Sequence, residues 1–129
     1  MIYSATLPAQ PAGGADVVAV AGVYSPAFYS GDTVTDVEIV APAGFSPITG
    51  AANDNVTIEV RQLRDGVVLQ TFAALTTAPG ITLSAERPIS LPISGQPLLL
   101  ARDVIDVRLR QNGAGRAVGP GLYLSVFVS

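Results

Sequence analysis

Cysteine, histidine, tryptophan and lysine are all missing from this 129-residue chain. Without cysteine there is no disulfide framework and no thiolate chemistry. Without cysteine or histidine the usual ligands of a zinc site are gone, and a Ser-His-Asp triad in its usual form is excluded. Charge is scarce as well: 13% of residues are charged, against ~25% in an ordinary soluble domain. The seven basic residues are all arginine and the net charge is −3. Arg102, Arg108, Arg110 and Arg116 are interleaved with Asp103 and Asp106, so the clustered basic stripe of a nucleic-acid binder is absent and no nucleic-acid partner is expected. No run of ~18 apolar residues exists, so neither a spanning helix nor a membrane partner is expected. The first residues lack a basic region followed by an apolar stretch, so no secretory signal peptide is expected either.

What is abundant is apolar residues, at 49%, together with 13 glycines and 10 prolines. So few charges on so apolar a chain predict extended exposed apolar surface, which in soluble proteins marks interfaces. Arginine without lysine leans the same way, because interfaces favour arginine, although a GC-rich genome produces the same bias.

The pattern is that of β-structure. In Asn55–Leu75, Val56, Ile58 and Val60 alternate with Thr57, Glu59 and Arg61, predicting one apolar and one wet face. Asp65-Gly66 then supplies the pair that a tight hairpin turn requires. Val104–Gln111 alternates in the same way, with Ile105, Val107 and Leu109 inward and Asp106, Arg108 and Arg110 outward. Further strands are expected at Asp16–Tyr24, Thr33–Ala41 and Ile81–Ala85, with Asp36 and Glu38 sharing one face of the second. Leu122–Val128 is apolar on both faces, as suits a strand central in a sandwich or packed on another subunit. Pro88, Pro92 and Pro97 limit the stretch between to short pieces at sheet edges. No helical period survives. About eight short strands with turn signals between them predict an all-β fold, an antiparallel β-sandwich or jelly roll spanning residues 16–129 as one domain. Residues 1–15, rich in proline and glycine, read as an extended N-terminal arm pinned against its own domain or a neighbour.

Chemistry is sparse. Asp32, Asp36 and Glu38 fall close together, as do Asp103 and Asp106, but the expected role is solvated outer-face charge. A glycosidase would need two facing carboxylates, and an aromatic-lined cleft besides. Asn53-Asp54-Asn55 offers oxygens to a cation but lacks the following glycine and distal glutamate of a calcium loop, so an Asx turn is expected. The glycine-rich 112–121 loop joins two strands with no helix after it, which removes the phosphate-loop reading. No catalytic residue, metal or cofactor is therefore expected. The aromatic residues carry the most information. Tyr24, Phe28 and Tyr29 cluster near one loop, and such rings plug the ends of a sandwich, anchor a protein contact or stack on a sugar. The surface residues expected at a partner interface are Ile2, Tyr3, Leu7, Pro8, Tyr24, Phe28, Tyr29, Tyr123 and Phe127.

The Pro/Ala-rich first fifteen residues, PGITLSAERPISLPI (79–93), LLLARDVIDVRLRQNGAG (98–115) and the closing LYLSVFV together resemble the small jelly-roll decoration, or cement, proteins of tailed-bacteriophage capsids. The resemblance covers most of the chain and is architectural and compositional. It implies a non-enzymatic virion protein on the outer capsid surface, made in the host cytoplasm, that binds the major capsid protein. It also implies a homo-oligomer, a trimer, bridging neighbouring capsid subunits. It carries over no catalytic residue. The alternative, from another class, is a carbohydrate- or receptor-binding β-sandwich of a tail fibre or adhesin.

Overall fold

Asp65 and Gly66 take φ of 52° and 78°, the left-handed pair of a type I′ turn. They fold β4 (Asn55–Arg64) back on β5 (Val67–Thr76). Around this hairpin the computed structural model, which describes residues 1–24, 31–95 and 97–129, builds seven further strands. These are β1 (Ile2–Thr6), β2 (Val17–Val23), β3 (Asp32–Val40), β6 (Ile89–Ser90), β7 (Leu98–Leu99), β8 (Val104–Asn112) and β9 (Tyr123–Val128). The chain is all-β, and its strands form two packed antiparallel sheets.

Pairing is nested. β4 pairs β5, β3 pairs the short β6 and β7, β2 pairs β8, and β1 pairs β9. Rolled up, this gives a hairpin sheet in the order β2-β8-β4-β5 and a terminal sheet in the order β1-β9-β3-β6, with β7 also on β3. That is the connectivity of a jelly roll, a long hairpin wound into a sandwich. The core fills from both inner faces: Ile58, Val60, Ile105, Val107 and Leu109 from one, Val37, Ile39, Leu124, Val126 and Val128 from the other. β9 is apolar inward because it is central, lying between β1 and β3.

Residues 1–15 are held by their own domain, one of the two placements expected for them. Tyr3 and Ala5 alternate with Ile2, Ser4 and Thr6, which lets β1 pair with β9 over five residues. The backbone then exchanges hydrogen bonds between Leu7 and the 121–122 segment and between Gln10 and Val118. The buried Gln10 side chain donates to the carbonyls of Ala15 and Leu109, 2.9 Å each. Two expectations about strands need correction. Ile81–Ala85 forms no strand and makes only isolated bridges, Leu83 to Ile48 and Ala85 to Ala41. Glu86 follows at a φ of 58°, a conformation that ends extended pairing. The wet face expected on β4 is covered: Thr57 and Glu59 are buried, because β8 and β5 flank them on both sides.

The two outer strands of the hairpin sheet are irregular. β2 bulges between Val20 and Gly22, and β5 is offset against β4 twice. Bulges of this kind twist an edge away from a would-be partner strand. At the β2 bulge the Tyr3 ring lies where a Gly22 Cβ would stand, so this glycine lets the two sheets close at the β1/β2 corner.

Candidate functional site

Outward residues on the hairpin sheet form a closed lattice of charge. Glu59 accepts from Nη2 of Arg108 at 3.0 and 3.1 Å and lies 3.4 Å from Nε of Arg110. Asp106 takes the two-pronged guanidinium of Arg61 at 2.8 Å on each oxygen. At the start of β8, Asp103 is wholly buried and receives four donors: Nε and Nη2 of Arg64, Nε2 of Gln62, and the Leu100 amide. Burial pushes the Asp103 carboxyl up, but the Arg64 hydrogen bonds, helped by Leu100, Gln62 and the Arg64 charge, win and hold it below its ordinary value of 3.8. Neither Asp103 nor Asp106 is the solvated charge that the sequence suggested. Their positions near a strand start were legible; their partners on β4 were not.

The terminal sheet is different. Its strand register lays three rungs across the outer face. One runs Ile2, Phe127, Asp36; the next Ser4, Ser125, Glu38, Ser90; the third Thr6, Tyr123, Val40. The middle rung is small apart from Glu38, and the flanking rungs each carry an aromatic ring. Tyr123 is 44% exposed and Phe127 half-buried. None of these rung residues is basic. Among the described residues, two shielded side-chain atoms have no hydrogen-bond partner, Glu38 Oε2 and Arg108 Nε. Arg108 still binds Glu59 through Nη2, whereas among the described residues no ion pair reaches Glu38. A dry, unpaired polar atom costs about 1–3 kcal/mol, more when charged.

The structure sorts the nine interface candidates. Ile2, Tyr123 and Phe127 converge on this face, and Pro8 is exposed past the end of β1. Tyr3 turns inward against Gly22. Leu7 and Tyr24 belong to the core and are withdrawn as contact residues, because both are almost inaccessible. The Tyr24 hydroxyl donates to Asp32 at 2.8 Å; burial first, then that bond, raises its pKa above the usual 10.0. Phe28 and Tyr29 lie outside the described residues. Sequence reasoning placed Glu38 on the outer face but gave no sign that it lacks a partner. The signal would have been the order β1-β9-β3, which puts serines beside it.

Other expected features resolve simply. Asp54 accepts the Ala114 amide at 2.9 Å and Asn55 bonds Ala51 and Asn112, so this Asx cluster latches two loops together. Among the described residues no group of three or more His, Cys, Asp or Glu side chains converges to hold a metal. Two open hollows stand out, of about 420 Å³ beside Met1, Asp32 and Val128 and about 260 Å³ between the 42–46 and 119–120 loops. Neither lining, among the described residues, brings two side-chain carboxylates together. No helix among the described residues is long and apolar enough to cross a membrane. No protein-family model, curated protein or solved structure matches the chain.

Proposed function

We propose that this chain is a structural virion protein, a decoration subunit that binds the outer surface of a phage capsid and bridges neighbouring capsid subunits. The observation that carries this reading is where its apolar and charged groups stand. On the hairpin sheet the outward charges are mostly spent on one another, while large apolar side chains remain exposed, among them Ile2, Val20, Val67 and Tyr123. A surface with little free charge and much exposed apolar area suits docking onto another protein. Bulged edges on the hairpin sheet favour contact through side-chain faces over strand-to-strand pairing. In this reading the subunit is a trimer, and many copies on a lattice turn weak single contacts into firm attachment.

Two measurements test it. Light scattering after size exclusion is expected to give three times the chain mass. The purified protein is expected to sediment with capsids from the phage that encodes it. A monomer that stays in the supernatant overturns the reading. That result would favour the carbohydrate- or receptor-binding module, which the exposed Tyr123 ring beside hydroxyl and carboxylate groups also suits.

A further inference from the structure

From the outward rungs of the hairpin sheet we infer that its apolar end rung, Val23, Val104, Leu63 and Val68, is a seam against a second copy of this chain. This inference rests on the reading of the chain as a homo-oligomeric subunit and names the face through which the copies meet.

Strand register builds the rung. Val104 on β8 pairs with Val23 on β2 and with Leu63 on β4, and Leu63 pairs with Val68 on β5. Ile105, Val107 and Leu109 fill the core, so Val104 and its row point outward by the two-residue alternation of a strand. The row therefore crosses all four strands without a polar side chain. Val23 is 51% exposed and Val68 43%, and Leu63 and Val104 between them are half-buried. Val20, one rung away on β2, is 64% exposed, and Val67 and Leu69 on either side of Val68 are exposed too. Single apolar residues on a surface are ordinary, but a row continuous across a sheet marks a contact.

The charges around the rung choose the occupant. In the next rung Arg61 holds Asp106 on both oxygens, and in the one beyond Arg108 holds Glu59. Arg64, next to Leu63 in the chain, is engaged by Asp103. A second copy therefore brings no uncompensated like charge against this face, which is the condition for a surface to meet itself. Asp65, exposed in the turn beyond, stays in water in this arrangement. The size fits as well. With β4 and β8 ten and nine residues long, the outward face of the four strands measures about 19 Å by about 30 Å. With its relief that approaches the ~800 Å² that each partner covers in a stable pair. Valines of one copy then lie between those of the other, as where two sheets pack about 10 Å apart. Bulges on β2 and β5 disfavour a strand as occupant, and a row without an aromatic ring disfavours a sugar.

The chain has no cysteine, so a cysteine placed on the rung is the sole thiol of the protein. Val23→Cys and Val68→Cys, each alone and the two mixed, are treated with a short bis-maleimide, and linked chains are read on a denaturing gel. Linking through the rung is expected to exceed that of Thr6→Cys, exposed on the other sheet, by about tenfold, because a standing contact raises the effective concentration of the thiols. Val68→Asp is expected to drop the mass seen by light scattering to that of one chain, because it brings an unpaired charge into the seam. Val20→Asp serves as the second variant should the first not fold, and should neither fold, the linking comparison decides alone. Linking no better than at Thr6, or an oligomer that survives these charges, would overturn the seam. So would a single-chain mass in the unaltered protein, including a single chain that binds capsids through the rung. An oligomer joined elsewhere that still attaches to capsids would reject the seam and leave the decoration reading intact. A rung-linked oligomer that ignores capsids would keep the seam and remove the capsid as partner.

Discussion

Glu59 and Glu38 occupy matching places: each points outward from the third strand of its sheet. Glu59 faces Arg108 across the rung and touches Arg110 on the diagonal, and it is nearly buried by them. Glu38 faces Ser125 and Ser90 and keeps an unpartnered oxygen. Neighbour identity alone separates a charge that holds the sandwich together from one that it carries at a cost. A carboxylate ringed by arginines belongs to the fold, whereas one set between serines is left with a shielded oxygen that nothing pairs.

The largest effect should come from the hairpin sheet's deepest acid. Asp103→Ala removes the shared acceptor of Arg64, Gln62 and the Leu100 amide, and about 3 kcal/mol of stability is expected to go with it. Urea unfolding should show a lower midpoint at unchanged slope. The same group sets a pH limb. Its folded pKa is depressed, so below the ordinary 3.8 the unfolded chain binds the proton more readily. Stability from this group is therefore full above that value and falls as pH drops through the folded pKa. Asp103→Asn should flatten that acid limb in a series of thermal melts.

A closer test swaps one atom on each face. Glu59→Gln should cost about 1–2 kcal/mol, because Arg110 loses its anion and Arg108 keeps only Asp16, at 3.9 Å. Glu38→Gln should instead stabilise the fold, by about 1 kcal/mol, because it takes the charge off a shielded oxygen that has no donor. Equal losses in the two variants would erase the distinction between the faces. The smallest effect is ionic. Raising NaCl from low levels to 1 M should narrow the gap between the unaltered chain and Glu59→Gln by about 0.3 kcal/mol, because the Arg110 side of that cluster is open to solvent.

Much of the hairpin sheet was readable from residues alone. The two-residue periods of Val56–Val60 and Ile105–Leu109 and the Asp65-Gly66 turn are local signals, and the structure keeps all three. Elements that depend on distant partners were hidden. Ile2–Thr6 is too short and too mixed to announce a strand, and it becomes one because β9 is there to pair with. Ile81–Ala85 has strand composition, yet no neighbour lies in register along it. Burial of Glu59 follows from Arg108, which stands opposite it only after β4 and β8 align. For the site, the inward–outward alternation of Leu122–Val128 already put Tyr123 and Phe127 on one face. Tyr3, Leu7 and Tyr24 were misplaced because an aromatic or leucine near a proline-rich loop looks alike in sequence whether it faces solvent or core.

The nested pairing also orders events in time. Only β4 and β5 can meet by closing a two-residue turn; β3 must wait for β6, β2 for β8, and Ile2 must find Phe127. Each wider closure costs more chain entropy unless the one inside it has formed. Assembly should therefore run outward from the hairpin. In a pulse-labelled exchange experiment the Ile58 amide should gain protection first and the Ala5 amide last. On a ribosome the first four strands emerge before the β5 partner of the innermost pair exists. The first strand stays unpaired until the ninth has been made, a long interval in which an apolar chain is exposed to its neighbours.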